Sequence, residues 1–277
     1  MSAFANATTR FSDRVADYAC ARPGYPPELV PALYAARALQ AVNRVVDLGA
    51  GTGISAQPFL TEGHPVIGIE PNAAMRAACA PHPLLDLRAG TAEATGLEPH
   101  SVDFAFAAQA FHWFDVAAVR AELLRILRPD AHFAAMWNLR PVDATPAHSR
   151  YDAILRAHCP DYPALADLYA NPTRSAALFG GPWQTLRLPQ AQSFARPLFL
   201  AAVRSASYVP KPDAAGAAGF WQEIGEFFDQ HAVDGQLDLR LETVVHLGRL
   251  RGQPAVRPQG TVRTGNGAVA TRSTRPS

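Results

Sequence analysis

The chain has 277 residues, 48% of them hydrophobic and 18% charged, with a formal net charge of +1. These values suit a soluble globular protein of one large domain or a domain with a cap. No apolar run approaches the ~18 residues of a membrane-spanning helix, and the first residues, Met1 to Asn6, lack the basic and apolar segments of a secretory signal, so a cytoplasmic location is expected.

The first 40 residues read as helical and irregular. Residues 11–18 fit a short helix. Arg22-Pro23-Gly24-Tyr25-Pro26-Pro27 must be a loop, because proline excludes helix at its own position and disfavours it just before. Pro27 then suits a helix start, with Leu29, Leu33 and Leu39 on the apolar face. From Arg44 onward strands and helices alternate. Strand 44–48 precedes helix 54–62, strand 66–70 precedes helix 72–80, and strands 84–89 and 102–107 follow. Asp115 caps a helix carrying Val116, Val119, Leu123 and Ile126 on one face, Pro129 stops it, and strand 132–137 comes next. Pro58 fits this scheme poorly, about a turn inside its helix. Such alternation predicts an α/β fold with a parallel sheet covered on both faces.

From Asn138 the texture changes. Residues 151–158, 198–208 and 219–231 read as helices, 160–182 is punctuated by proline, 183–194 holds a strand, and 237–247 alternates as a final strand. Residues 251–277 carry five arginines, no acids and little that is apolar, which predicts disorder. Without them the chain has 20 basic and 24 acidic residues, so no nucleic-acid-binding body is implied. The expected division is 1–40 as a helical entrance segment, 41–140 as the core, 141–250 as the cap with the last sheet strands, and 251–277 as the tail.

The chemistry concentrates at Val45-Val46-Asp47-Leu48-Gly49-Ala50-Gly51-Thr52-Gly53. Two β-branched residues end a buried strand, and three glycines let the backbone turn tightly against a ligand. A second apolar run, Val66 to Ile69, ends in Glu70. A glycine-rich turn after one strand and a carboxylate at the tip of the next form a nucleoside-binding pair, in which the carboxylate takes the ribose hydroxyls. The dinucleotide fingerprint asks for glycine where this chain has Ile54, and a β-branched residue there opposes close helix–strand packing. Asp47 either caps the turn or reaches toward the ligand. Cys20, Cys79 and Cys159 are odd in number and widely spaced, as buried or incidental thiols would be. No His/Asp/Glu cluster has metal-ligand spacing, so no metal is expected.

Gly49-x-Gly51-x-Gly53 after Val-Val-Asp-Leu resembles the first motif of the class I S-adenosylmethionine-dependent methyltransferases, and the resemblance runs over roughly residues 11–250. It implies a doubly wound, seven-stranded, mostly parallel Rossmann-like sheet with a helical cap, and S-adenosyl-L-methionine as cofactor. Gly49, Ala50, Gly51, Thr52 and Gly53 then hold its methionine end, Glu70 the ribose, and Pro71 and Met75 flank the adenine. Gly90-Thr91-Ala92-Glu93 falls where the family often has Gly-Asp-Ala-Glu, with Thr91 in place of the Asp that contacts the adenine amino group. Leu127-Arg128-Pro129-Asp130-Ala131 matches a Leu-Arg-Pro-Gly-Gly turn except at the glycines, and Asp tolerates positive φ better than most residues. Tyr18 to Pro26 resembles the Tyr-x-x-x-Arg-Pro-x-Tyr-Pro entrance segment of one branch, and Gln109 to Asp115 its Gln-Ala-x-His-Trp-Phe segment. That branch includes trans-aconitate methyltransferase-like proteins of varied substrates.

The resemblance implies methyl transfer to a small molecule, with oxygen, as carboxylate or hydroxyl, the expected acceptor atom. Methyl transfer from a sulfonium is a direct displacement, so the protein chiefly aligns the reacting atoms. Tyr18, Phe111 and Trp113 supply aromatic faces for a cation, and Gln109 sits where a doubly wound sheet opens toward ligand. His112 is either a general base or a packing residue. Arg22 binds a carboxylate or orders its loop. Tyr25, Trp137 and Asn138 complete the expected substrate side, with Trp137 divided between pocket and core. Two other functions stay open: a module that binds the nucleoside without transfer, and a nicotinamide-dependent dehydrogenase.

Overall fold

The computed structural model describes residues 22–250. The helix expected at 11–18, Tyr18, Cys20 and the tail at 251–277 lie outside the described residues. Chain order from Arg22 is α1 (Leu29–Ala35), β1 (Val45–Leu48), a 3₁₀ turn (Ile54–Ala56), α2 (Gln57–Thr61), β2 (Val66–Ile69), α3 (Ala73–Ala77) and β3 (Leu85–Arg88). Then come β4 (Val102–Ala108), a second 3₁₀ turn (Phe111–Trp113), α4 (Val116–Ile126), β5 (Leu127–Leu139), α5 (Pro146–His158), α6 (Tyr162–Leu168) and α7 (Pro172–Phe179). The last described elements are β6 (Trp183–Ala195), α8 (Arg196–Arg204), α9 (Ala218–His231) and β7 (Gln236–Gly248).

The seven strands form one sheet in the order β3-β2-β1-β4-β5-β7-β6. Pairings from β3 to β5 are parallel, and β7 runs antiparallel between β5 and β6. The parallel sheet expected from the alternation, and the doubly wound, mostly parallel arrangement that the resemblance implies, are therefore present. Because β1 lies between β2 and β4, the connections leaving it diverge, and a crevice opens at the carboxyl ends of β1 and β4. All four residues of β1 are buried, as a strand covered on both faces requires.

Alternation along β4 and β5 divides the core. Phe104, Phe106, Ala134 and Met136 face α1 and α2 with Leu33 and Phe59. Ala105, Ala107, Phe133, Ala135 and Trp137 face α4 and α7 with Leu123 and Phe179. A third cluster binds α5, α8 and α9 to the far ends of β6 and β7, through Tyr151, Phe199, Phe227 and Leu237. Pro189 lies in β6, an edge strand, where its missing N–H interrupts no ladder on the outer side.

Two local features depart from the sequence pattern. Residues 54–56 form a 3₁₀ turn and α2 begins only at Gln57, so Pro58 stands in the first turn, where no intrahelical partner is lost. α4 ends at Ile126, before Pro129, because the residue ahead of a proline is already driven extended and the chain passes directly into β5. Asp115 caps α4 by accepting from the Ala118 amide at 3.0 Å. Asp130 has φ 68°, so the turn accepts aspartate where the family pattern carries glycine.

Candidate functional site

The turn after β1 is fastened to the tip of β2, with the amides of Gly49 and Ala50 both donating to Ile69 O, at 2.8 and 3.2 Å. Gly49, Gly51 and Gly53 have φ of 75°, 57° and 80°, a region where a Cβ is strained. A Cβ on Gly51 would also stand 3.3 Å from Met75 Cε, and one on Gly53 2.8 Å from Cys79 Sγ. Gly51 therefore keeps a cavity open. Gly53, expected at the ligand, turns the chain against Cys79 and is not among the described lining of the three cavities at this crevice.

Two carboxylates brace this turn. Glu70 Oε2 accepts from Gly51 N at 3.0 Å and Oε1 from Asn72 N at 2.8 Å. Burial raises the Glu70 pKa, opposed by these two amides and by Arg76. Asp47 is fully buried and accepts from Ser55 Oγ at 2.5 Å. Burial pushes its pKa up to about 7, with the Ser55 bond lowering it and the Glu70 charge adding to the rise. Of the two roles open to Asp47, the geometry gives it the internal one.

Three cavities meet at this crevice. The largest, about 280 Å³, is lined by Gly49, Gly51, Glu70, Pro71, Met75, Thr91, Ala92, Glu93, Gln109 and Trp113, among others. Thr91 to Glu93 reach it because Glu122 holds the following Thr95 by its amide, at 2.9 Å, and its hydroxyl, while Glu93 accepts from Asp115 N at 3.1 Å. Arg125 beside Glu122 holds that carboxyl down at about 2. A second cavity, about 30 Å³, has Arg22, Tyr25, Gly49, Ala50, Thr52, Gln109 and Asn138 in its lining. A third, about 60 Å³, lies under the cap and takes in Arg22, Gln109, Asn138, Arg140, Tyr151, Gln192 and Tyr208.

Gln109 lines all three. Its φ is 55°, a left-handed conformation costing a non-glycine residue about 1–2 kcal/mol. Its amide donates to Met136 O at 2.8 Å and its Nε2 to Asn138 O at 3.0 Å, which hold the bend against β5. Asn138 in turn donates from Nδ2 to Gly24 O at 2.9 Å and accepts from Thr243 Oγ1 and Gln190 Nε2, at 2.6 and 2.9 Å. One amide thus ties the 23–24 loop to β5, β6 and β7.

Residues 46–135 match the family model for a methyltransferase domain. An uncharacterized methyltransferase of Mycobacterium tuberculosis is 39% identical over 134 residues, covering 47% of this chain and 52% of that protein. A Saccharomyces cerevisiae protein named as an S-adenosylmethionine-dependent methyltransferase is 31% identical over 137 residues, 46% of each chain. This chain spans about half the length of the curated relatives it matches. Among solved structures, one assigned as a type II methyltransferase from Anaeromyxobacter dehalogenans is 27% identical with a TM-score of 0.59, covering 83% of this chain and 98% of that one. Residues 46–135 are thus similar to the methyltransferase domains of these proteins. An Anabaena variabilis methyltransferase, 17% identical with a TM-score of 0.54 over 78% of this chain and 96% of that one, shares its fold.

The cofactor of such domains is S-adenosylmethionine, and the crevice fits it. A buried carboxylate stands at the tip of β2, a glycine cradle that a side chain would fill stands opposite, and the largest cavity runs between them.

The structure places three further candidates from the sequence. Trp137 is fully buried, because alternation along β5 sends it to the same face as Phe133 and Ala135, where it packs against Phe111 at 6.1 Å. In the 3₁₀ turn Phe111–Trp113, successive side chains diverge by about 120°. Phe111 enters the core, Trp113 reaches the largest cavity rather than the acceptor side, and His112 is buried with its ring 4.7 Å from those of Trp113 and Tyr169. His112 therefore lines none of the three cavities. Sequence reasoning also missed residues that the cap brings in. Arg174 of α7 donates from Nη2 to Phe111 O and Phe114 O at 3.2 and 2.8 Å, and so fixes the turn that presents Trp113. Arg140, Tyr151, Gln192 and Tyr208 enter from the residue after β5, from α5, from β6 and from the segment after α8. None of the four carries a local sequence signal.

Proposed function

We propose that the protein transfers the methyl group of S-adenosylmethionine to an oxygen of a small-molecule acceptor. The observation that carries this is the meeting of three cavities at Gln109. Their order matches the order of groups in the reaction. Adenosine goes to the large cavity with Glu70 on the ribose and Pro71 and Met75 beside the base. The methionine end goes to the cavity lined by Gly49, Ala50 and Thr52, and the acceptor goes under the cap. Residues 41–140 are then the cofactor-binding core, and residues 141–250 close the acceptor side while completing the sheet.

When bound, S-adenosylmethionine supplies a methyl carbon on a cationic sulfur, and an acceptor oxygen displaces that sulfur as the C–O bond forms and the C–S bond breaks. The chain's own part is alignment, which in favourable cases is worth on the order of 7–11 kcal/mol. Gln109, pinned at both backbone and side chain, fixes the wall shared by the three cavities. The described lining of the acceptor cavity offers guanidiniums, carboxamides and phenols. Burial pushes the Tyr151 phenol up to about 12, so it stays protonated at neutral pH. A carboxylate acceptor needs no base, and this lining suits it better than an alcohol.

The test is incubation with methyl-labelled S-adenosylmethionine and panels of carboxylic acids, alcohols and amines. Label that enters a low-mass product and is released as volatile methanol by mild base identifies an ester. Base-stable label moves the acceptor atom elsewhere. Tight cofactor binding with no transfer to any panel favours the binding-module alternative.

A further inference from the structure

A half-buried guanidinium in the proposed acceptor cavity, which Arg22 also lines, has no counter-ion. Arg140, just after β5, donates from Nη2 to Tyr208 Oη at 3.4 Å, and its guanidinium lies 4.6 Å over the ring of Tyr151. Among the described residues it makes no ion pair, and its contacts are the neutral phenols of Tyr151 and Tyr208. The nearby carboxylate, Asp152, is already engaged by Arg156 at 2.6 Å and by the Tyr162 hydroxyl at 2.8 Å. The chain's paired arginines stand at its surface: Arg125, Arg128 and Arg156 hold Glu122, Asp103 and Asp152 with side chains 40–52% exposed. A guanidinium without an ion pair is thus kept partly out of water, against the Tyr151 ring and the Tyr208 hydroxyl.

The same cavity holds a second unsatisfied group, as Gln192 Oε1 is buried with no donor. One side of it is apolar, with Phe194, Phe199, Val203 and Leu239, while Arg22, Gln109 and Asn138 line the side toward the crevice. We infer that Arg140 is the recognition group for a carboxylate on the methyl acceptor, which makes the acceptor class small organic acids with an apolar body. A carboxylate matches the planar fork of arginine and supplies the counter-charge the fold omits. The aliphatic or aromatic remainder covers the Phe194 and Leu239 wall, and a hydroxyl on it would satisfy Gln192. This rests on the proposed methyl transfer only for calling the ligand an acceptor; the anion site stands on its own geometry.

The experiment is calorimetry on the full chain, saturated with S-adenosylhomocysteine, using acetate, hexanoate and benzoate against acetamide, hexanamide and benzamide. At least one acid should bind ten-fold or more tightly than its amide. Arg140→Met should abolish that preference, and Arg140→Lys should keep part of it, since the charge remains and the fork is lost. S-adenosylhomocysteine affinity should stay unchanged in both variants, which also reports that they are folded. Equal binding of acids and amides, no binding of any acid at ten millimolar, or a preference that survives Arg140→Met would overturn the assignment. If Arg140→Met does not fold, the acid–amide comparison in the wild type and in Arg140→Lys decides alone. Failure of the wild type to bind S-adenosylhomocysteine would sink the methyl-transfer function instead, and the acids would then be titrated without it.

Discussion

Replacing Glu70 by alanine should weaken S-adenosylhomocysteine binding by roughly 1–3 kcal/mol, the cost of hydrogen bonds to a charged group. The carboxylate has two tasks that must be separated. It braces the turn by accepting from Gly51 N and Asn72 N at 3.0 and 2.8 Å. Each oxygen keeps a further lone-pair direction, and those are available to the ribose hydroxyls. A double-mutant cycle isolates the second task. Calorimetry would compare S-adenosylhomocysteine with its 2′,3′-dideoxy analogue on the wild type and on Glu70→Ala. If Glu70 grips the hydroxyls, the wild type loses about 1.5–3 kcal/mol on the dideoxy ligand, roughly 10- to 150-fold in Kd, while the variant loses little. Equal losses on both proteins, with coupling under about 0.5 kcal/mol, would mean that Glu70 only braces the turn.

Asp47 should make stability pH-dependent. Its carboxyl is raised by burial from 3.8 to about 7, so the folded state holds a proton that the unfolded chain has released. That contribution is complete below the unfolded value and is lost as pH rises through about 7. This contribution to the wild-type Tm should fall between about pH 4 and pH 7 and level off above, and Asp47→Asn should remove it; parallel Tm curves would contradict it. Gly51→Val adds a side chain at φ 57° beside Met75 and should abolish S-adenosylhomocysteine binding by calorimetry, in a protein whose circular dichroism is retained. Trp137→Ala empties a core position and should cost about 3–5 kcal/mol in urea unfolding with cofactor affinity unchanged. Arg174→Met removes both bonds to the Phe111–Phe114 turn and should weaken S-adenosylhomocysteine through Trp113, without changing acid-over-amide preference in the cap cavity.

The cofactor side was legible because its signals are local. A turn needing positive φ three times in five residues can be read from Gly49, Gly51 and Gly53 alone, and Glu70 follows from the length of one strand–helix–strand unit. Alternation also located the strands of the sheet, since a fully buried β1 and a two-faced β4 leave unbroken apolar runs. Trp137 was ambiguous because β5 is buried on both faces, so only its phase relative to Phe133 sends it to the core. His112 stayed open between two roles because three consecutive residues of a 3₁₀ turn point three ways, and a segment resemblance carries no phase. The acceptor side was illegible for a different reason. Arg140, Tyr151, Gln192 and Tyr208 are spread over 69 positions and meet only because β6 and β7 fold back onto β5 beneath α5 and α8.

The most direct test of the cofactor assignment is calorimetry of the wild-type chain with S-adenosylhomocysteine and, separately, with NAD. One S-adenosylhomocysteine should bind per chain with saturable heat, and NAD should bind far more weakly, because Ile54 stands where the dinucleotide fingerprint needs glycine. Absence of S-adenosylhomocysteine binding at roughly millimolar ligand, where even a −4 kcal/mol interaction is visible, or tighter binding of NAD, would contradict the assignment of this crevice.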